Sequence, residues 1–393
     1  MNQFINNKTA EKRLQFGTGK CIKLHVGRSQ NETICRETVV DSWKVEVETD
    51  EETGVCTQSE YYGGPEVMKV KQEQVYLGDV ISTDGKHTKN VMARKNKGLG
   101  VITQIMQILD SVVYGKYFFE VAMVLRSSML LSSLLLNSEA WVNLSEKDIR
   151  ALERTDEMLL SKILGSETNT SNTFKYLELG IYPIRFEIMK RKVTFLQYIL
   201  KQEKESMVYK VFKATSENPV KNDFVKTCLN YLESLDIKMS FEDIGKMSNS
   251  KFKQIVKQKT EEAGFKYLLK EKMKQKKIAE LNYNSLSMQE YLVDGSKSNR
   301  ISRLIFKARG RNLEIKAHKK WRYEDDICVG CGKNVETEDE LLQCEGLREE
   351  GEVQSEKYAY SWFFGESVTR MVNLAMEIEQ RLKIRKKILD DPG

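Results

Sequence analysis

The sequence predicts an α+β protein that is mostly α: a small strand-rich N-terminal piece, a helical bundle, a helical connector and a small cysteine-rich C-terminal module. Three observations lead there. Only 4 prolines interrupt 393 residues, and long Lys/Glu-rich periodic stretches favour helix over most of the chain. Near the N-terminus the period changes to two: Ile22, Leu24 and Val26 alternate with Lys23 and His25, and Trp43, Val45 and Val47 with Lys44, Glu46 and Glu48. Such segments bury one face and wet the other. Towards the C-terminus Cys328, Cys331 and Cys344 fall close together.

Residues 1–88 form the strand-rich piece. The acidic run Asp50-Glu51-Glu52-Thr53-Gly54 reverses the chain, and Val75 and Leu77 mark a short strand closed by a turn in which Asp84-Gly85 supplies the positive φ. Residues 89–215 form the bundle. Leu99, Ile102, Met106, Leu109 and Val113 recur at helical spacing. Ser145 is a suitable N-cap with Asp148 three residues on, Gly165 stops that helix, and Pro183 suits the first turn of the next. Residues 216–322 are the basic connector, and residues 323–393 hold the cysteines and a final helix with Val368, Val372, Ala375 and Ile378 on one face.

The apolar stretch Tyr117–Leu136 is long enough to cross a membrane, but Glu120 and Arg126 lie inside it. Each charge costs roughly 2.5–3.5 kcal/mol near the centre of a spanning helix. The stretch therefore reads as a helix buried at the centre of a bundle, and no membrane partner is expected. The net charge of +6 is a small excess of 63 basic over 57 acidic residues, so any argument for nucleic acid rests on local clusters. Seven cysteines, an odd number behind an N-terminus without a signal-peptide core, predict reduced thiols in an intracellular protein, cytoplasmic or nuclear.

Four segments carry a family resemblance. Leu14-Gln15-Phe16-Gly17-Thr18-Gly19-Lys20-Cys21-Ile22-Lys23-Leu24-His25-Val26-Gly27 and, about fifty residues on, Tyr76-Leu77-Gly78-Asp79-Val80-Ile81-Ser82 resemble the end of the palm and the start of the thumb of non-long-terminal-repeat retrotransposon reverse transcriptases. Tyr76, Leu77 and Gly78 are similar to the primer grip of that family. The apolar helix over 114–141 is similar to its thumb, and the words Tyr176-Leu177-Glu178-Leu179-Gly180 and Pro183-Ile184-Arg185 are similar to the segment just after the thumb. The resemblance implies a fragment lying after the paired catalytic aspartates, with a thumb, a connector and a zinc knuckle, from a transposable element.

Cys328-Val-Gly-Cys331 puts two thiols on a tight turn, the usual way to present half of a tetrahedral zinc site, and Cys344, thirteen residues after Cys331, is a third donor. In the family a histidine stands four residues before the last cysteine; here that position is Glu340, an oxygen donor rare in structural zinc sites. The nearest histidine is His318. The candidate metal set is thus Cys328, Cys331, Cys344 and Glu340 with zinc, and the alternative is a decayed knuckle with three free thiols.

Two basic clusters could touch phosphate. Lys251 to Lys277 holds ten lysines against three glutamates, with Phe252, Phe265, Tyr267 and Leu268 interleaved. Arg303, Lys307, Arg309, Arg311, Lys316, Lys319, Lys320 and Arg322 form the second, with Trp321 able to stack on a base. In the bundle, Lys95, Lys97 and Lys190-Arg191-Lys192 could follow a duplex backbone. Against these stands ordinary helix-surface charge, with Glu261, Glu262 and Glu271 pairing the lysines.

Polymerase chemistry needs carboxylates converging on Mg²⁺. The adjacent acidic pairs lie in turns or charged helices without a preceding apolar strand, no Gly-rich phosphate loop is present, and the three histidines are scattered. No catalytic residue and no Mg²⁺ site are expected. The sequence reading is therefore a fragment that binds RNA or DNA weakly and without sequence preference and lacks polymerase activity of its own. Two alternatives stand beside it: a domesticated or decayed protein-interaction fragment that uses exposed apolar seams, and a truncated gene model of an active RNA-directed DNA polymerase.

Overall fold

The computed structural model describes residues 22–23, 38–49, 56–70, 73–76, 78–82, 86–112, 117–142, 144–167, 169–218, 223–293, 298–349, 360–365 and 367–390. The described chain is mostly helical, as its periodicity predicts. It divides into two units, residues 1–93 with 142–144, and residues 94–141 with 145–393.

In the first unit, β1 (Ile22–Lys23) runs parallel to β3 (Cys56–Val70), and β2 (Thr38–Thr49) pairs antiparallel with β3, from Thr38 opposite Met68 to Thr49 opposite Cys56. The acidic run Asp50–Gly54, expected to reverse the chain, lies outside the described residues. β4 (Glu73–Tyr76) and β5 (Asp79–Ser82) form a hairpin in which Tyr76 faces Asp79. Gly78, at φ 88°, supplies the left-handed residue of a two-residue loop, whereas Asp84-Gly85 lies outside the described residues. Leu77 and the Tyr76 side chain also lie outside them, as does most of 14–27. Asn90, near the start of α1 (Thr88–Val112), ties the hairpin down: its Nδ2 donates to Asp79 Oδ1 at 2.9 Å and its Oδ1 accepts from Val80 N at 3.2 Å.

The second unit holds the helices. In α1 the buried row is Ile102, Ile105 and Leu109, with Leu99 and Met106 flanking it, so the face is centred on Ile105; Val113 lies outside the described residues. α2 (Phe118–Leu125) continues through a π-turn, Arg126–Leu131, into Ser132–Leu134. Its Phe118, Phe119, Ala122, Leu130, Leu131 and Leu134 are buried while Val124 is 63% exposed, so the apolar stretch is a one-sided core helix. Arg126 is buried inside it because Asp156 takes the guanidinium in a two-pronged bond, Nε to Oδ1 at 2.7 Å and Nη2 to Oδ2 at 2.8 Å. Among the described residues, no helix is long and apolar enough to cross a membrane.

α3 (Glu146–Leu164) begins and ends as its sequence predicts. Ser145 and Asp148 form a reciprocal capping box, and Gly165 closes the helix at φ 59°. α4 (Asn172–Leu179) stops at Gly180, φ 65°, where an added Cβ would lie 2.1 Å from the Ser287 carbonyl carbon; only glycine fits. Pro183 caps α5 (Ile184–Leu200). α6 (Met207–Glu217), α7 (Phe224–Ser234), α8 (Phe241–Lys246) and α9 (Asn249–Met273) then share one apolar core with α5, built from Phe186, Val193, Leu196, Phe212, Cys228 and Phe252 among others. That core crosses residue 215, so the predicted bundle and connector pack as one body.

The Tyr176–Gly180 word has a structural role. Glu178, fully buried in α4, accepts Tyr283 Oη at 2.5 Å, Tyr291 Oη, and Arg309 through Nε at 3.2 Å and Nη2 at 3.1 Å. Tyr291 belongs to α10 (Glu290–Val293) and Arg309 to α11 (Asn299–Arg309). One carboxylate thus ties three segments into the core. The chain finishes with α12 (Glu338–Gln343), a 3₁₀ turn Tyr360–Phe364, and α13 (Val368–Asp390), whose Val372, Ala375 and Ile378 are buried on one face.

Candidate metal centre and basic clefts

Cys328 sits where a small antiparallel bridge, Ile327 with Val335, begins to turn. Its amide donates to Asn334 O at 2.7 Å, and its carbonyl accepts from Gly332 N at 2.8 Å. Gly332 takes φ 64°, which sends the chain back, and Cys331 is carried on that turn. Gly330 is needed because a Cβ there would meet Leu347 Cγ at 2.7 Å and Cys344 Sγ at 3.0 Å. Thr337 caps α12 by accepting from Glu340 N at 3.2 Å, and Cys344 ends that helix, its amide on Glu340 O at 2.8 Å. One helical turn therefore separates Glu340 from Cys344, and both face the Cys328–Cys331 turn.

One donor atom from each of Cys328, Cys331, Cys344 and Glu340 lies within 4.8 Å of the others, close enough to hold a metal ion. Cys328 Sγ is 3.6 Å from Cys344 Sγ, and Cys331 Sγ is 3.2 Å from Glu340 Oε1. Zinc bonds of about 2.3 Å to sulfur and about 2.1 Å to oxygen set tetrahedral edges of about 3.6–3.8 Å. The donor types and a spacing within 4.8 Å are compatible with that ion. The sulfurs are too far apart for a disulfide, whose bond is about 2.05 Å. Burial pushes the Cys328 thiol up, and burial followed by the bond from Cys328 pushes Cys344 up to about 12. Packed thiols held this way favour thiolate only when a cation balances it. Asn334 Nδ2 donates to the other Glu340 oxygen at 2.9 Å and fixes the carboxylate. His318 is engaged elsewhere: its Nδ1 accepts from Leu313 N at 3.0 Å and its Nε2 faces Glu338 Oε1 at 2.7 Å.

Buried arginines bind this module to α13. Arg385 grips Glu336 through Nε at 2.8 Å and Nη2 at 2.9 Å, and Arg381 Nη1 donates to Cys344 O at 3.0 Å. The opposite side of α13 presents Glu379, Lys383 and Lys386 to a cleft of about 620 Å³, whose other wall is α11 with Arg300, Arg303 and Lys307. Five cations and one carboxylate line it. Glu379 pairs with Arg300, and with Lys383 at 3.7 Å; Arg303 donates to Ile163 O at 2.9 Å. A second groove, of about 740 Å³, runs between α5 and α9 and carries Lys190, Arg191, Lys201, Lys253 and Lys257.

Several predicted phosphate contacts are corrected. Lys192 is wholly buried, its Nζ on the carbonyls of Trp141 and, at 3.1 Å, Glu139. Arg309 is buried on Glu178. Neither can reach a phosphate, because each fills its hydrogen bonds inside the core. The second cluster is largely neutralised: Arg311 pairs with Glu280 at 3.0 Å, Lys316 with Asp325 at 2.6 Å, Lys319 with Glu167, Lys320 with Asp326 at 3.5 Å, and Arg322 with Glu314 at 3.3 Å. In the lysine-rich helix α9, Lys259 pairs with Glu262 at 3.0 Å and Lys257 approaches Glu261 at 4.0 Å; just past its end Lys274 meets Glu271 at 2.6 Å. Phe252 and Leu268 are core residues and cannot stack on bases.

Lys97 is exposed and Lys95 half-buried on α1, Lys307 faces the α11–α13 cleft, and Trp321 is 75% exposed. Lys190 and Arg191 line the α5–α9 groove while also pairing with Glu187, at 2.5 and 3.4 Å. Lys201, Tyr198, Arg300, Lys383 and Lys386 were not singled out by sequence reasoning. Spacing alone would not have found the last two, since 379 and 386 follow Val372 at intervals of seven and share its side of α13. No family model, no curated protein and no solved structure matches the chain.

Proposed function

We propose that this chain is a nucleic-acid-binding protein of the kind its sequence resembles, the post-catalytic part of a retrotransposon reverse transcriptase. It binds RNA or DNA weakly, without sequence preference, and does not polymerise. Zinc held by Cys328, Cys331, Cys344 and Glu340 serves structure: the metal supplies the positive charge that lets buried thiols ionise, and no reaction step falls to it.

The observation that carries this reading is the α11–α13 cleft, where five cations face one carboxylate. Excess positive charge along a cleft attracts phosphate irrespective of sequence. The cysteine module supports one wall through Arg381 and Arg385, so metal and binding surface are joined mechanically. The test is fluorescence anisotropy with a labelled duplex from roughly 50 to 200 mM salt. Replacing Arg300, Lys383 and Lys386 by Ala should weaken binding alike for all sequences and flatten the logarithmic salt slope by about 0.9 for each phosphate no longer neutralised. Micromolar protein that leaves both duplex and single strands unbound at the lowest salt defeats the proposal. A primer-template with dNTPs and Mg²⁺ should stay unextended, because the sequence offers no converging carboxylates after a strand.

A further inference from the structure

Two side-chain stripes face each other across the α5–α9 groove. Thr194, Tyr198 and Lys201 recur along α5, and Asn249, Lys253 and Lys257 at intervals of four along α9. Among the described residues that line the groove, Glu139 is the one acid. Among the described residues, neither Lys201 nor Lys253 has a carboxylate within 4.0 Å; Lys201 Nζ donates instead to Asn249 Oδ1 at 2.7 Å. Lys257 approaches Glu261 at the outer limit of pairing. All three ammonium groups are exposed, and among the described residues Lys201 and Lys253 have no carboxylate partner to compete with an anion.

Between the lysines lies an aromatic ladder. Tyr198 stacks on Phe195 with centroids 5.6 Å apart and planes 13° from parallel, and Phe195 packs edge-on against Phe224 at 5.9 Å. Phe195 is half-buried and backed by the core, whereas Tyr198 is 55% exposed. A tyrosine held flat by the ring beneath it has already lost the freedom that stacking would cost it. A cationic groove with a fixed, open aromatic face suits stacked bases joined by phosphates, because bases stack on aromatic faces while lysines track the backbone. Paired bases of a duplex have their faces covered and cannot use the ring.

We propose that the α5–α9 groove binds a short single-stranded nucleic acid, with one base stacked on Tyr198 and neighbouring phosphates on Lys201, Lys253 and Lys257. This rests on the reading of the chain as a nucleic-acid-binding protein, and adds a strand type and a site separate from the α11–α13 cleft. From Lys190 to Lys201 the groove extends about 16 Å along α5 at 1.5 Å per residue, room for about five nucleotides at 3.4 Å each.

The experiment titrates full-length protein into labelled oligo-dT and oligo-rU pentamers and, separately, a blunt duplex. Tyr198→Ala should weaken pentamer binding roughly 5- to 150-fold and leave the duplex unchanged, while Tyr198→Phe should bind like wild type. Lys253→Ala with Lys257→Ala should flatten the single-strand salt slope by about 1.4. These positions are exposed, so unchanged circular dichroism and melting temperature show that the fold is intact. Equal losses on pentamer and duplex, no loss with Tyr198→Ala, or an oligo-glutamate peptide competing as well as the pentamer would each overturn the proposal. The Arg300/Lys383/Lys386 variant separates the two sites. If it alone loses binding, the groove assignment falls and the cleft reading stands; if no variant changes any binding, both fall.

Discussion

Glu336 is where the cysteine module depends most on a single side chain, and removing its carboxylate has a calculable effect. The carboxylate is wholly buried and accepts from Arg385 Nε at 2.8 Å, Arg385 Nη2 at 2.9 Å and Lys316 N at 2.7 Å. Glu336→Ala leaves an uncompensated guanidinium that is 5% exposed. Breaking a buried pair from one side costs about 3–5 kcal/mol, and the orphaned Lys316 amide adds about 1–3 kcal/mol. The full loss is then about 4–8 kcal/mol, capped by the free energy at which the module opens by itself. Hydrogen exchange should therefore speed up in 313–347 and in α13 while α3 to α5 stay protected. The double variant Glu336→Leu with Arg385→Met removes both charges and should recover most of the stability, since apolar replacement of a buried pair is often neutral. A Glu336→Ala protein within about 1 kcal/mol of wild type, the loss of an ordinary substitution, or a double variant no better than the single one, would refute the reasoning.

Three further outcomes are expected. Purified protein should carry about one zinc per chain by elemental analysis; Cys331→Ser should release it, and Glu340→His, which offers nitrogen where oxygen stands, should hold it more tightly against a chelator. Burial lowers the Lys192 amine to about 8, so the folded protein sheds a proton that the unfolded chain keeps up to its ordinary range near about 10.4. Stability should consequently rise with pH, by about 1 kcal/mol between about pH 7.5 and 9. Above about pH 9 the neighbouring Cys228 thiol, raised by burial to about 12, opposes that gain. Urea melts of wild type and Lys192→Met across this interval check it, and an equal pH slope in both proteins would be the contrary result. Chelation should also weaken duplex binding at the α11–α13 cleft, read by anisotropy, because the module that supports α13 then loosens; unchanged affinity after complete zinc removal would separate the two.

Local chemistry was legible in the chain. Ser145 with Asp148, Gly165 and Pro183 mark helix ends in the sequence, because a cap needs only residues within one turn of each other. The gathering of Cys328, Cys331, Cys344 and Glu340 within reach of one another was legible for the same reason: Cys328 and Cys331 share a tight turn, and Glu340 and Cys344 share a helical turn. Which cations stay free was not legible. Lys192 and Arg309 look like their exposed neighbours in sequence, yet their partners, Trp141 and Glu178, are 51 and 131 residues away. That β4 and β5 turn at Gly78 was not legible either, because only the pairing of Tyr76 with Asp79 reveals it. Helical periodicity, caps and cysteine spacing depend on neighbours in the chain and can be read along it. Burial of charge, the two basic clefts and the open ring of Tyr198 depend on which helices meet, and emerge only once the chain has packed.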